Sequence, residues 1–324
     1  MTVAPADDVT GEYLALRTGA GVVADRFEAV WIRGADTTPF LQATLTQDMS
    51  GLAAGEITRA FLLTSKGKVR ALLWVLVGAN EVILLCDKGR QADVLRALVL
   101  LNVNMDVTID AVLGPVIEVI GPTAATVVGS LGYDVQAPHR WAFSEAGHCV
   151  AAIGHIRVDL PRFVLIGPSS DVVRNSGGVF VGDLAADAVR IEAGEPQAGR
   201  DVDDATLVHE VGALDGAVSF TKGCYLGQEM VERIDARGRV NRRIVGVVVG
   251  TNVIPPHGCE VVQGSAVRGR VTSTAESLYL RAPIVLAMVR REVVDGSAVT
   301  LTWDGGSAPG TVHELPLDTF ASIS

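Results

Sequence analysis

A chain of 324 residues, 48% hydrophobic and 20% charged, carries enough apolar mass for a sizeable core and is too long for one ordinary domain, so two or three are expected. Its formal net charge of −10 argues against DNA or bulk RNA as an obligate partner, because such partners need a basic face. Four cysteines without C-x-x-C spacing make neither a disulfide framework nor a zinc site, which points to a reducing compartment.

Residues 1–20 read as a loose tail. The first 12 are acidic and lack a basic start followed by an apolar run, so they match neither a signal nor a transit peptide. No apolar run is long enough to span a bilayer; the best candidate, 71–86, is broken by Gly78, Ala79, Asn80 and Glu81. The expected location is the cytoplasm. Residues 22–33 alternate and carry β-branched side chains, which predicts strand. Asp36 suits the N-cap of a helix through Pro39, Phe40, Leu41 and Leu45, since proline is tolerated in a first turn. Strands are predicted over 61–64, 69–77 and 82–86, the last two joined by the turn Gly78-Ala79-Asn80. A helix over 91–101 follows, with Val94, Leu95, Leu98 and Leu101 at helical spacing.

After Gly114-Pro115 the texture repeats: strand 116–120, helix 124–131, strands 149–157 and 162–166, then a short helix over 169–175 stopped by Gly177. A further helix is predicted over 185–192, with Gly194 at its C-terminal end. Residues 217–220 read as a short strand and 228–236 as a helix with Met230, Val231 and Ile234 on one side. From Arg243 the character changes to short β-like runs at 244–249, 260–262, 269–273, 284–289 and 299–303, which suggests a small all-β domain with its boundary near 245.

The densest chemistry lies in Thr221-Lys222-Gly223-Cys224-Tyr225-Leu226-Gly227-Gln228-Glu229, where a thiol, an ammonium, a phenol, an amide and a carboxylate are punctuated by two glycines. A strand-to-helix turn would put Cys224 near a helix N-terminus, where the dipole and unpaired N–H groups favour an anion. With Lys222 close by, such a thiol can be reactive. The bland alternative is a buried structural cysteine in a tight turn. Cys86, Cys149 and Cys259 lie in apolar runs and read as core. Arg233, Arg237, Arg239, Arg242 and Arg243 form a basic patch suited to carboxylates or phosphates, or else a solvated face paired with Glu229, Glu232 and Asp235. The histidines show no metal-ligand spacing; His209-Glu210 is a weak candidate base for Cys224. No Rossmann or Walker glycine pattern is present.

The segment Lys222-Gly223-Cys224-Tyr225-x-Gly227-Gln228-Glu229 resembles the motif of the YgfZ family, relatives of the T-protein of the glycine cleavage system. Other blocks resemble the same family: Arg33-Gly34-x-Asp36 with Phe40-Leu41-Gln42 and Leu45-Thr46-x-Asp48; Leu62-Leu63-Thr64-x-Lys66-Gly67-Lys68; Arg190-Ile191-Glu192-Ala193-Gly194; Gly269-Arg270-Val271-Thr272-Ser273; and Leu315-Pro316. The likeness runs from about residue 21 to the end.

The resemblance implies an α+β, GcvT-like fold: two interleaved α+β domains and a C-terminal β-barrel around a central channel. It divides the chain into a body over 21–245, whose second subdomain spans 113–184, and a barrel over 246–324. It implies tetrahydrofolate, or a one-carbon-substituted folate, in the channel, and a role with iron–sulfur apo-proteins or assembly factors, including tRNA-modifying enzymes. By position Glu192 matches the T-protein glutamate that hydrogen-bonds the pterin, and a carboxylate can accept two N–H bonds from that ring. Arg190, Tyr225, Gln228, Glu229 and Arg233 complete the expected folate-facing set, with Cys224 and Lys222 as the reactive pair. One departure stands out. T-protein carries adjacent aspartates in this region, one of them catalytic, whereas this chain has Lys68-Val69-Arg70-Ala71. T-protein also has an asparagine near the position of Cys86. The expectation is a retained folate site, lost aminomethyl-transfer chemistry and an added thiol, with a relocated one-carbon transferase and a non-catalytic folate scaffold as the alternatives.

Overall fold

The computed structural model describes residues 8–133, 137–145, 147–157, 160–212, 216–238 and 240–317. The stretch expected as a loose tail contains a helix, Val9–Thr18, started by the Asp8 carboxylate accepting the Gly11 N–H at 2.9 Å. Its Tyr13 and Leu16 are buried, which the acidic lead-in hid from view. The single strand expected over 22–33 is two, Gly21–Ala24 and Phe27–Arg33, because Asp25 takes a left-handed conformation (φ 58°) that short polar side chains tolerate. The break matters, since the two strands belong to different sheets.

The first sheet runs Ile57–Leu63, Val69–Val77, Glu81–Asp87, Phe27–Arg33, Thr108–Ala111, with antiparallel neighbours throughout. Helices Thr37–Thr44 and Gln91–Leu101 cover one face, burying Phe40, Leu41, Val94 and Leu98 against Ala71, Leu73 and Val75. The second sheet runs Val179–Phe180, Gly21–Ala24, Val116–Ile120, Leu160–Ile166, Cys149–Arg157, Arg140–Phe143, and helix Ala124–Ser130 packs on it. The sheets meet through Trp74, Leu76, Ile83 and Leu85 on one and Trp141, Ala151, Val164 and Ile166 on the other.

The third unit is a closed barrel in the order Arg242–Val249, Ala282–Arg290, Ala266–Ser277, Glu260–Gln263, Ala298–Trp303, Gly306–His313, with a valine-rich interior. The last of these strands was not anticipated: Gly306, Pro309 and Gly310 weaken any strand signal, and it is legible only as the partner that closes the ring.

Helix Asp183–Ala193 is the hub. It buries residues on every side, including Arg190 and Glu192, and ends at Gly194 in a left-handed conformation (φ 71°). One core cluster joins this helix to Tyr13 and Leu16, to Ile284 and Leu286 of the barrel, and to Tyr225 and Val231 of the motif region. The strand expected at 217–220 is absent. The segment is irregular, because it bonds to one loop residue instead of a ladder: Thr46 donates its hydroxyl to the Ala217 carbonyl (2.7 Å) and accepts the Ser219 N–H (2.9 Å). No described helix is long and apolar enough to cross a membrane.

Candidate functional site

The motif forms a loop leading into helix Gln228–Arg237, so the helix half of the expected turn is present and the strand half is not. Cys224 is exposed on this loop. Its neighbours hold the loop from below. Lys222 is buried and donates to the carbonyls of Leu45 and Gln47, both at 2.8 Å, with its ammonium 5.1 Å from the centre of the Tyr225 ring. Burial holds that ammonium down to about 8, with Asp48 acting against the shift. Tyr225 is buried, which raises its phenol to about 12, and its backbone N–H donates to the Gln228 side chain at 3.1 Å. Gln228 in turn donates to Glu232 at 2.6 Å, and Leu226 N–H to the Ala43 carbonyl at 3.1 Å.

The expected second family block lies directly under this loop. Gly227 (φ 83°) approaches so closely that a Cβ there would fall 2.6 Å from the Thr64 carbonyl, and one on Gly67 (φ 68°) would fall 2.7 Å from Met230. Both glycines are required by contact and conformation together. The other three cysteines are buried, and burial pushes their thiols up, Cys149 to about 12. The structure thus presents one of the four to a reagent.

A second constellation sits between the sheets and the end of the hub helix, where the resemblance implies a central channel. A cavity of about 30 Å³ is lined by Phe27, Arg59, Leu72, Trp74, Asp87 and Glu195, among others. Arg59 and Arg162 lie over the Trp74 ring at 5.0 and 5.4 Å. Arg162 is buried and bonds both Glu195 oxygens (2.7 and 2.8 Å), which helps draw that carboxyl down to about 2 against the cost of burial. Glu118 pairs with Arg162 at 3.3 Å and Arg26 at 3.7 Å, yet neither of its oxygens has a hydrogen bond among the described residues. Burial raises Asp87 to about 6, although its carboxylate accepts the Ala198 N–H at 2.8 Å. Sequence reading missed this cluster. Its signal was a charge inside an apolar strand: Glu118 within Val116–Ile120 and Arg162 within Leu160–Ile166.

Residues 4–162 match the GCVT N-terminal domain, and residues 242–318 match the glycine cleavage T-protein C-terminal barrel domain. The tRNA-modifying protein YgfZ of Sodalis glossinidius is 32% identical over 251 residues, 70% of either chain. This chain belongs to the YgfZ family. An aminomethyltransferase of Frankia alni is 27% identical over 326 residues, covering 95% of this chain and 88% of that one. In fold, the glycine cleavage system aminomethyltransferase T of Bartonella henselae superposes with a TM-score of 0.88 over 95% of this chain and 89% of that chain, at 19% identity. The GcvT-like architecture expected from the motifs is therefore present, barrel included.

Against this YgfZ-family frame, the remaining predicted site residues divide. Glu192 is fully buried and engaged within the chain: Tyr13 donates to it at 2.7 Å, Ser277 at 2.5 Å, and Arg17 pairs with it at 3.6 Å. Arg190 is likewise internal, bonded to Asp187 (2.9 Å), Asp201 (2.7 Å) and Ser273 (2.8 Å), though it borders the channel cavity. Glu229 and Arg233 are exposed on the motif helix, with Arg233 against the Met230 sulfur. The basic patch does not act as a unit. Arg242 grips Glu210 with two bonds of 2.9 Å, and Arg243 bonds Glu314 and the Val293 carbonyl. Arg239 lies outside the described residues. His209 packs near Phe220 with Asp235 at 4.0 Å, Glu210 is held by Arg242 and the Leu207 N–H, and among the described residues no hydrogen bond joins either to Cys224. No group of three or more metal-ligating side chains is assembled among the described residues.

Proposed function

We propose that this YgfZ-family protein is a folate-binding accessory factor for the assembly or repair of iron–sulfur enzymes, tRNA-modifying ones included, and that Cys224 is its working group. One observation carries the reading: the motif loop is braced from beneath by Lys222, Tyr225 and Gly227 and leaves the Cys224 thiol outside. The name of the Sodalis relative supports the tRNA link. A single thiolate is too few for a cluster, which usually takes four, so Cys224 completes a ligand set with thiolates that a partner brings, or attacks a partner's disulfide, forming a mixed disulfide and releasing the partner's second sulfur as thiolate. Replacing Cys224 with Ala is expected to abolish rescue of iron–sulfur enzyme activity in cells lacking the wild-type copy, while the unfolding free energy stays within about 0.5 kcal/mol because the side chain is exposed. Full rescue by the variant removes the thiol from the mechanism.

Folate belongs in the central channel. Its chemistry suits a pterin: an aromatic face at Trp74 and a carboxylate at Asp87. The cavity is smaller than the ring, so entry requires Arg59 to leave Trp74. Among the described residues Arg59 has no hydrogen bond holding it there. In this reading Asp87 meets the ring, and Glu192 anchors the hub helix to Tyr13 and Ser277. Tetrahydrofolate is expected to quench the fluorescence of Trp74. Asp87→Asn should weaken binding about tenfold, by loss of a charge-assisted hydrogen bond, and Glu192→Gln should not. The opposite ranking moves the pterin to Glu192.

A further inference from the structure

On the motif loop that carries Cys224 lies a groove of about 310 Å³ that the folate channel does not explain. Leu226, two residues from the thiol, lines it, and Leu63, Ala97, Leu100 and Leu101 make it mainly apolar. Leu100 is 73% exposed on the final turn of helix Gln91–Leu101, and Val99 and Val103, its near neighbours in the chain, are 51% and 71% exposed. Exposed apolar side chains gathered in this way mark a contact surface more often than a solvated one.

One charge breaks the pattern. Arg70 lines the groove and, among the described residues, has neither a hydrogen bond nor an ion pair. Its placement is built in by the backbone. Leu62 pairs with Ala71 and Leu63 with Val69, so Arg70 is the extra residue of a β-bulge. The bulge also changes the phase of the strand: Val69 faces the hub core, while Ala71, Leu73 and Val75 face the helical layer that forms the groove wall. Without it, a strict alternation would send residue 70 to the other face. An unpaired guanidinium in an apolar setting calls for a carboxylate, which it can bind through two parallel N–H bonds.

We propose that this groove seats a polypeptide segment of the protein that Cys224 serves, a segment carrying an apolar side chain next to an aspartate, a glutamate or a C-terminal carboxylate. The proposal rests on the accessory-factor reading above and deepens it. The groove is sized for a few side chains, at the small end of binding pockets. It lies on the motif's own residue Leu226, so docking would bring the segment to the thiol, which makes exchange between the two effectively intramolecular. Two copies of this chain, each at −10, repel one another, which disfavours a second copy as occupant.

The test uses the full chain in cells lacking the wild-type copy, at matched protein levels, and reads iron–sulfur enzyme activity. Leu100→Glu and Arg70→Glu are each expected to cut rescue at least tenfold, with Arg70→Lys intermediate. The purified variants should alkylate at Cys224 with iodoacetamide, and bind tetrahydrofolate, as the wild type does. If Cys224→Ala fails to rescue while both groove variants rescue fully, the groove is not a docking site and the thiol reading survives. If Cys224→Ala rescues, the reading beneath the proposal fails. A tenfold loss of tetrahydrofolate affinity in Leu100→Glu would assign the groove to folate. A wild-type dimer in sedimentation that Leu100→Glu converts to monomer would assign it to a second copy. Either result overturns the proposal.

Discussion

Replacing Arg162 with Met is expected to cost about 3–5 kcal/mol of stability, because it strands one fully buried carboxylate, Glu118, and one partly buried carboxylate, Glu195. Arg162 stands at the meeting of three layers. It projects from Leu160–Ile166 of the second sheet, bonds Glu195 just beyond the hub helix, pairs with Glu118 on the neighbouring strand and lies over Trp74 of the first sheet. Methionine fills the volume but offers nothing to Glu195 or Glu118. The double variant Arg162→Met with Glu118→Gln should recover part of the loss, since the neutral amide removes one stranded charge. Urea unfolding at pH 7 measures both.

The same pair gives a pH signature. Glu195 is drawn down from an ordinary 4.5 to about 2, so the unfolded chain binds a proton there before the native one does. The stability this contributes is complete above about 4.5 and is lost as pH falls towards 2. Glu118, raised by burial, acts in the opposite sense but in a separate window above about 4.5, so it leaves this acid limb to Glu195. In Arg162→Met the fall between pH 4.5 and 2 should be visibly flatter. An unchanged acid limb would show that Arg59 and Arg26, the other cations near Glu195, are enough to hold it.

Local pattern made much of the fold legible. The strands Val69–Val77 and Val116–Ile120 and the helix Gln91–Leu101 lie where periodicity placed them. What failed depended on distant partners. Nothing local shows that Asp25 splits one β-rich run between two sheets. The helix Val9–Thr18 is stabilised by Tyr13 reaching Glu192, 179 positions away. Gly306–His313 becomes a strand because Arg242–Val249 and Ala298–Trp303 flank it.

The candidate site was legible in a different way. The eight-position motif located the thiol, and the structure adds a bracing role for its neighbours. Lys222, Tyr225 and Gly227 face inward and hold the loop, and only Cys224, Glu229 and Arg233 among the predicted residues are exposed. The channel cluster went unread because its members, Trp74, Asp87, Glu118, Arg162 and Glu195, are scattered over some 120 positions and meet only after the sheets pack.

Lys222→Met separates support from chemistry most sharply. The ammonium donates to Leu45 and Gln47 on either side of Thr46, and Thr46 itself holds both Ala217 and Ser219. Three consecutive residues of one loop thus fix the path of the chain into the motif. Methionine leaves two inward carbonyls without a donor, at about 1–3 kcal/mol, and frees the loop to drift. Rescue of iron–sulfur enzyme activity should fall to the level of Cys224→Ala, while the thiol still alkylates, because exposure does not depend on position within an ångström whereas productive exchange does. Lys222→Arg should not restore activity: the guanidinium is longer and wider than the buried ammonium, so reaching the same two carbonyls displaces the loop. Titration supplies an independent readout. In the native protein this amine loses its proton near 8, and in the unfolded chain near 10.5, so the unfolded state holds the extra proton between those values and wild-type stability rises with pH across that window. The rise should be missing in Lys222→Met. A variant that lost the rise yet rescued fully would show that the brace matters to folding alone, and that Cys224 works from a loop free to move.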